Sequence, residues 1–304
     1  MLRQYLAILI LSAAAFGVGC ASESDSAAQP SALENESAAV SQGTFQTQDN
    51  LTIAYDMRGQ GETTLLFVHC WACDRTYWRE QLDVFADGYR VVSLDLAGHG
   101  DSGKQRAEWT LQGLAGDVEA LVHELGLERV ILVGHSMGGP VSLLAAARLP
   151  EKVIGVVGVD NLHNAEFTFP PEMAEQIVGG FEADFGGSMG QMVPAMFPQG
   201  ADPALIEWIV EKASAAEQTP VISLMRDFTH FSYKEAFSAL RVPVRCINAL
   251  PWQPGGMETA VAINQKYADY DAVMMQGVGH YLHLERPDEF NSHLRDVLAA
   301  IESR

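Results

Sequence analysis

Apolar residues along the chain group into two alternating patterns. Phe45 to Thr47 and Leu51 to Arg58 read as strands flanking Gln48-Asp49-Asn50, a hairpin turn. Thr64 to His69 is a continuous apolar run, as expected of a strand buried on both faces. Arg79 to Phe85 is weakly helical, Arg90 to Asp95 a strand, and Leu111 to Leu125 a helix with one apolar side. Val130 to Gly134, Val141 to Arg148 and Val153 to Val159 continue as strand, helix and strand. After Asp160 the rhythm breaks into a helical stretch rich in Met and Phe, punctuated by Gly and Pro. Val242 to Asn248 and Ala272 to Gln276 supply two more strands, and Pro287 to Ile301 a last helix with proline at its first turn. Such alternation predicts an α/β domain with a mostly parallel sheet and helices on both faces. The interruption predicts an inserted helical cap over the carboxyl ends of the strands, where open α/β sheets bind ligands. The expected division is a core over 43–161 and 241–304 and a cap over 162–240. No internal repeat is evident.

The first residues have a different character. Arg3 gives a short positive region, and Tyr5 to Phe16 form an apolar run too short to span a bilayer, as in a secretory signal peptide over 1–19. Gly17-Val18-Gly19-Cys20 resembles the lipobox of bacterial lipoproteins, although Gly17 stands where leucine is usual. That resemblance implies lipidation of Cys20 and a membrane anchor. The stretch 20–42 is small, polar and acidic, with nothing to bury. As a flexible tether of about 23 residues it would span roughly 25 Å. The expectation is an exported lipoprotein, its folded domain periplasmic or at the cell surface, touching the membrane only through the lipid.

A formal net charge of −20 excludes counterion-release binding to nucleic acid, which needs clustered cations, and makes polyanionic substrates poor candidates. Of four cysteines, Cys246 sits in an apolar strand as a core residue. Cys70-Trp-Ala-Cys73 is a C-x-x-C that an oxidising compartment would allow to close, but it lacks thioredoxin-like surroundings. His280 and His283 have no partner at a recognised zinc spacing, so neither a metal nor a cofactor is expected.

The chemistry concentrates at Gly134-His135-Ser136-Met137-Gly138-Gly139, which follows a strand and opens a helix. A G-x-S-x-G there places the serine on a tight turn, with a helix N-terminus behind it to favour developing negative charge. With this motif the chain resembles the α/β-hydrolases over roughly Phe45 to Ile301. Val68-His69-Cys70-Trp71, Asp95 to Gly103, Gly277-Val-Gly279-His280 and Leu284 to Pro287 agree with the same family. The resemblance implies Ser136 as nucleophile and His280 as general base. It implies backbone N–H groups of Met137 and Trp71 as the oxyanion hole, with Cys70 where the family usually has glycine. His99 and His135 read as structural, His283 lacks the Gly-x-Gly-His context of the base, and His163 and His230 read as solvated or substrate-facing. Serine at the elbow argues against dehalogenases and epoxide hydrolases of this fold, which use Asp there. It points to hydrolysis of a small to medium, uncharged, hydrophobic ester, lactone or thioester through an acyl-enzyme. Carbon–carbon bond hydrolases, aminopeptidases and non-catalytic binding proteins of the same fold stay open as alternatives.

The triad acid departs from the family pattern. The usual place follows Val242 to Asn248, yet the next carboxylate there is Glu258, at the first turn of an expected helix. Asp160 ends the strand Val153 to Val159, a position some members use instead. Asp160 is the expected acid, with Glu258, a dyad or a water-bridged arrangement as the alternatives.

Overall fold

The computed structural model describes residues 41–249 and 256–304. The expected signal peptide, Cys20 and most of the tether lie outside the described residues, as does the segment 250–255 that would carry the usual acid. Ser41 and Gln42, expected as tether, already belong to the domain: strand β1 (Ser41–Gln46) pairs antiparallel with β2 (Thr52–Arg58), Ser41 opposite Met57. Asn50, in the turn between them, takes a left-handed φ of 60°, which asparagine tolerates better than most residues.

Six further strands follow: β3 (Thr64–Val68), β4 (Arg90–Leu94), β5 (Val130–His135), β6 (Val153–Val159), β7 (Val244–Ala249) and β8 (Tyr270–Met275). Their order in one sheet is β1-β2-β4-β3-β5-β6-β7-β8. Strand β2 runs antiparallel to β4, and every pairing from β4 through β8 is parallel. The continuous apolar runs have a simple cause. Leu66 and Val68 of β3 feed one core with Val130 and Leu132 of β5. The intervening Leu65, Phe67, Ile131 and Val133 feed a second core on the opposite face. Alternate side chains point to opposite faces, so a strand covered on both must be apolar throughout.

The second core is closed by α1 (Arg79–Ala86), through Leu82 and Phe85, and by the C-terminal helix, through Phe290, Leu294, Leu298 and Ile301. The first is closed by α2 (Leu111–Glu124) and α3 (Gly138–Arg148). The Thr110 hydroxyl fixes the start of α2 by accepting the Gly113 N–H at 3.0 Å. Helix α3 begins earlier than its apolar pattern suggests, because two glycines occupy its first turn where only small residues fit.

Between the adjacent strands β6 and β7 the chain inserts five helices: α4 (Pro171–Ala183), α5 (Phe185–Ala195), α6 (Pro203–Ser214), α7 (Gln218–Phe228) and α8 (Tyr233–Ser238). Phe181, Phe185, Met189 and Ile209 are buried, so much of the Met/Phe content is the insert's own packing. Several hydrogen bonds tie it down. Asp227 accepts the Leu111 N–H at 2.7 Å, Val221 O accepts the Trp71 indole N–H at 2.6 Å, and Met196 O accepts the His280 N–H at 3.0 Å. Two of those partners follow the carboxyl ends of β3 and β8. After β7 come α9 (Gly256–Asn264), α10 (Leu282–Glu285) and α11 (Pro287–Glu302).

Candidate active site

Ser136 follows β5 directly and has a left-handed φ of 51°. Such a conformation costs a non-glycine residue on the order of 1–3 kcal/mol and persists only where its surroundings over-determine it. Here the Ser136 N–H donates to Val159 O at 3.0 Å. Its carbonyl accepts from Gly139 N at 3.0 Å and from the Asn161 amide at 3.0 Å. The glycines are demanded by space. A Cβ on Gly134 would stand 2.3 Å from Gly138 O, and one on Gly138 would stand 2.3 Å from Val68 O. The start of α3 therefore presses against the exit of β3, bringing Met137 and the Trp71 loop to one place.

His280 is fixed through backbone and ring. Its N–H is held by Met196, and its carbonyl accepts the His135 Nε2–H at 2.8 Å. Because His135 precedes Ser136, this bond couples the serine turn to the histidine loop. The ring Nδ1 lies 2.6 Å from Asp160 Oδ2. An acceptor-only carboxylate assigns the proton to Nδ1 and leaves Nε2 with a lone pair.

Asp160 directly follows β6 with a left-handed φ of 47°, its N–H bonded to Ile247 O at 2.9 Å. Its other carboxylate oxygen accepts the Ala249 N–H at 2.9 Å. Burial pushes the carboxyl up, but the His280 hydrogen bond, the charges of His280 and His163 and the Ala249 N–H outweigh it. The net position is below the ordinary carboxylate value. The structure thus brings Asp160 and His280 together, whereas Glu258 lies exposed in the first turn of α9.

Two residues that sequence reasoning left aside complete this corner. Asn248, at the end of β7, donates to Asn161 O at 3.2 Å and accepts the Asn161 N–H at 3.1 Å. The same amide lies 3.1 Å from His163 Nδ1, and His163 Nε2 stands 3.8 Å from Asp160 Oδ1. His163 is therefore packed beside the acid rather than solvated. His230, by contrast, is exposed, its Nδ1 against Arg226 O at 2.8 Å. No periodicity marks an asparagine pair of this kind. The only signal was an amide at a strand end where the family carries a carboxylate.

Trp71 follows β3, and Met137 precedes α3, whose Gly138 lies against Val68. Among the described residues no turn or loop backbone hydrogen bond uses either backbone N–H. The Trp71 ring lies among the insert's aromatics, 4.8 Å from Phe181 and 6.2 Å from Phe185. Cys70 and Cys73 form a disulfide around Trp71, while Cys246 is a buried free thiol that burial pushes up to about 12. Among the described residues no group of three or more His, Cys, Asp or Glu is arranged to hold a metal ion. Among them, too, no helix is long and apolar enough to cross a membrane.

Five of the histidines around this site titrate low. Burial pushes His69 and His163 down to about 4, His99 and His283 to about 3, and His135 well below its ordinary value. They are neutral in the fold, whereas the unfolded chain takes up protons as pH falls through about 6.5. Stability is thus full above that pH and declines as pH falls towards the folded values. Asp95, Asp117 and Glu285, whose carboxyls burial pushes up, act in the opposite sense, but three carboxyls against five imidazoles leave a net loss. Urea unfolding at the two pH values is expected to show a clearly lower midpoint at pH 5. An unchanged midpoint would mean that these rings are hydrated.

Residues 63–191 match the model of the family described as alpha/beta hydrolase fold, and the chain carries the α/β-hydrolase fold. It is similar to a thermophilic esterase from Thermogutta terrifontis, with a TM-score of 0.73 and 22% identity, covering 86% of this chain and 99% of that one. It is also similar to an enol-lactonase from Burkholderia xenovorans LB400, with a TM-score of 0.73 and 20% identity over 84% of this chain and 100% of that one. Likeness at such identities shows the fold. In sequence, the dihydrolipoyllysine-residue acetyltransferase component of the acetoin cleaving system from Cupriavidus necator is 39% identical over 140 residues, 44% of this chain. That match spans 37% of the relative's own length.

Proposed function

We propose that this protein is a serine hydrolase that cleaves a carboxylic ester, lactone or thioester through an acyl-enzyme, with Ser136, His280 and Asp160 as its triad. The observation that carries the reading is the 2.6 Å contact between Asp160 and His280, in a loop whose carbonyl is tied to the residue before Ser136. His280 Nε2 takes the Ser136 hydroxyl proton as Oγ attacks the carbonyl carbon. Asp160 stabilises the resulting imidazolium without taking its proton. The Trp71 and Met137 N–H groups receive the tetrahedral oxyanion. Collapse expels the alcohol with the proton from His280, and water, deprotonated by the same ring, releases the acid. The likeness to an esterase and an enol-lactonase supports this class. A nucleophilic carboxylate, which epoxide opening in this fold requires, is missing at position 136. The direct test is labelling by a fluorophosphonate together with turnover of p-nitrophenyl esters.

The substrate we infer is uncharged and moderately hydrophobic. Phe181 and Phe185 pack on Trp71 beside the proposed oxyanion donors, and the net charge of −20 repels anions. A neutral succinate diester is expected to be cleaved faster than its charged half-ester under equal conditions. A half-ester cleaved faster would overturn this preference. We also propose that the protein is exported as a lipoprotein through Cys20, and the Cys70–Cys73 disulfide supports an oxidising compartment. Metabolic labelling with a radioactive fatty acid, lost in Cys20→Ser, tests that proposal.

A further inference from the structure

We infer that the Cys70–Cys73 disulfide is a positioning element of the oxyanion hole, so that turnover depends on this pair being oxidised. The inference rests on the serine-hydrolase reading above. The four residues form one tight turn, the Cys73 N–H donating to Cys70 O at 3.3 Å. The disulfide joins the first and last residues of that turn, their Cα atoms 5.2 Å apart. Trp71 and Ala72 are its central residues, and Ala72 has a φ of 56°. The third position of such a turn favours glycine, so an alanine there needs outside support. The Trp71 N–H, the proposed donor, is the group whose direction that turn sets.

The surroundings show how much is spent on holding this one turn. The Ala72 N–H donates to His99 Nε2 at 3.2 Å. Leu96 N–H donates to His69 Nε2 at 2.9 Å, so the proton sits on Nδ1, which donates to Cys70 O at 2.7 Å. Both rings must be neutral to accept these bonds, as their burial requires. The Trp71 indole is anchored on Val221, in the insert. The disulfide is the covalent member of this set. A cross-link stabilises a fold mainly by restricting the unfolded chain, and that effect shrinks with the length of the closed loop. Joining residues three apart restricts little, so its main consequence is local: it fixes the orientation of the peptide between the two sulfurs. Cysteine at 70, where relatives of this fold have glycine, is then a substitution of a covalent restraint for a flexible residue.

The test is the Cys70→Ser/Cys73→Ser double variant, measured beside the wild type and Ser136→Ala. We expect kcat for p-nitrophenyl acetate to fall about 10- to 100-fold, less than the 10²–10³ that follows deletion of an oxyanion donor, because the N–H is displaced, not removed. KM should stay within about threefold. Affinity for an aryl trifluoromethyl ketone, which forms an oxyanion on Ser136, should fall in parallel with kcat, a change that a merely structural role would not produce. If the double variant does not fold, the wild type is treated with dithiothreitol. Its two thiols are oxidised to the cyclic disulfide, and two electrons and two protons pass to Cys70 and Cys73. Activity should drop on reduction and return on reoxidation with oxidised glutathione, Cys246 staying buried throughout. A double variant or reduced protein that keeps wild-type kcat while Ser136→Ala is dead overturns the role of the disulfide and leaves the hydrolase reading intact. A wild type that cleaves no ester and takes no fluorophosphonate overturns both.

Discussion

Ser136→Ala is expected to lower ester turnover by about 10⁶-fold and to abolish fluorophosphonate labelling, with the fold retained. The magnitude follows from serine proteases, where loss of the nucleophile alone costs about as much as loss of the whole triad. The reason is that His280 and Asp160 act only through the Ser136 hydroxyl. What remains is the oxyanion hole and binding, enough for a small residual rate over water. The backbone bonds of residue 136 to Val159, Gly139 and Asn161 involve no side-chain atom of the serine, so alanine can keep the turn. Thermal unfolding should therefore shift little. A wild type that binds acyl compounds tightly, yet is neither labelled nor turned over, would show that the pocket serves binding alone. Full activity in Ser136→Ala would sink the serine mechanism.

Asp160→Asn should lower kcat by about 10⁴-fold, again by analogy with the serine-protease acid, while Glu258→Gln should be nearly silent. An amide facing His280 Nδ1 can present N–H, which turns the ring to the tautomer protonated on Nε2. That tautomer has no lone pair for the Ser136 proton. The amide oxygen can still accept the Ala249 N–H, so the corner between β6 and β7 should hold and the loss should fall on kcat rather than on folding. Exchange of the two outcomes would move the acid to Glu258 and leave Ser136 and His280 in place. A small effect from both would point to a catalytic dyad.

Much of this molecule was legible in short stretches of sequence. The strands at Thr64, Val130 and Val153 announce themselves because residues feeding two cores must be apolar at every position. The serine turn is legible because close contacts at 134 and 138 admit only glycine, a demand written within five residues. His280 is marked in a similar way by the glycines at 277 and 279 that precede it. The sequence by itself therefore determined the fold class and the places of Ser136 and His280. The partnership of Asp160 with His280 spans 120 positions of chain and exists because β6 lies beside β7 with Val159 paired to Ile247. That register puts Asp160 beside Asn248, where it and its neighbours Asn161 and His163 fill the corner that a carboxylate after β7 would otherwise take. The closing of Cys70 on Cys73, the burial of His163 and the clasp of His135 on the His280 loop were likewise decided only in three dimensions. Local patterns encode which face a residue must turn to the core, whereas side-chain partners depend on strand order and register, which no single segment carries.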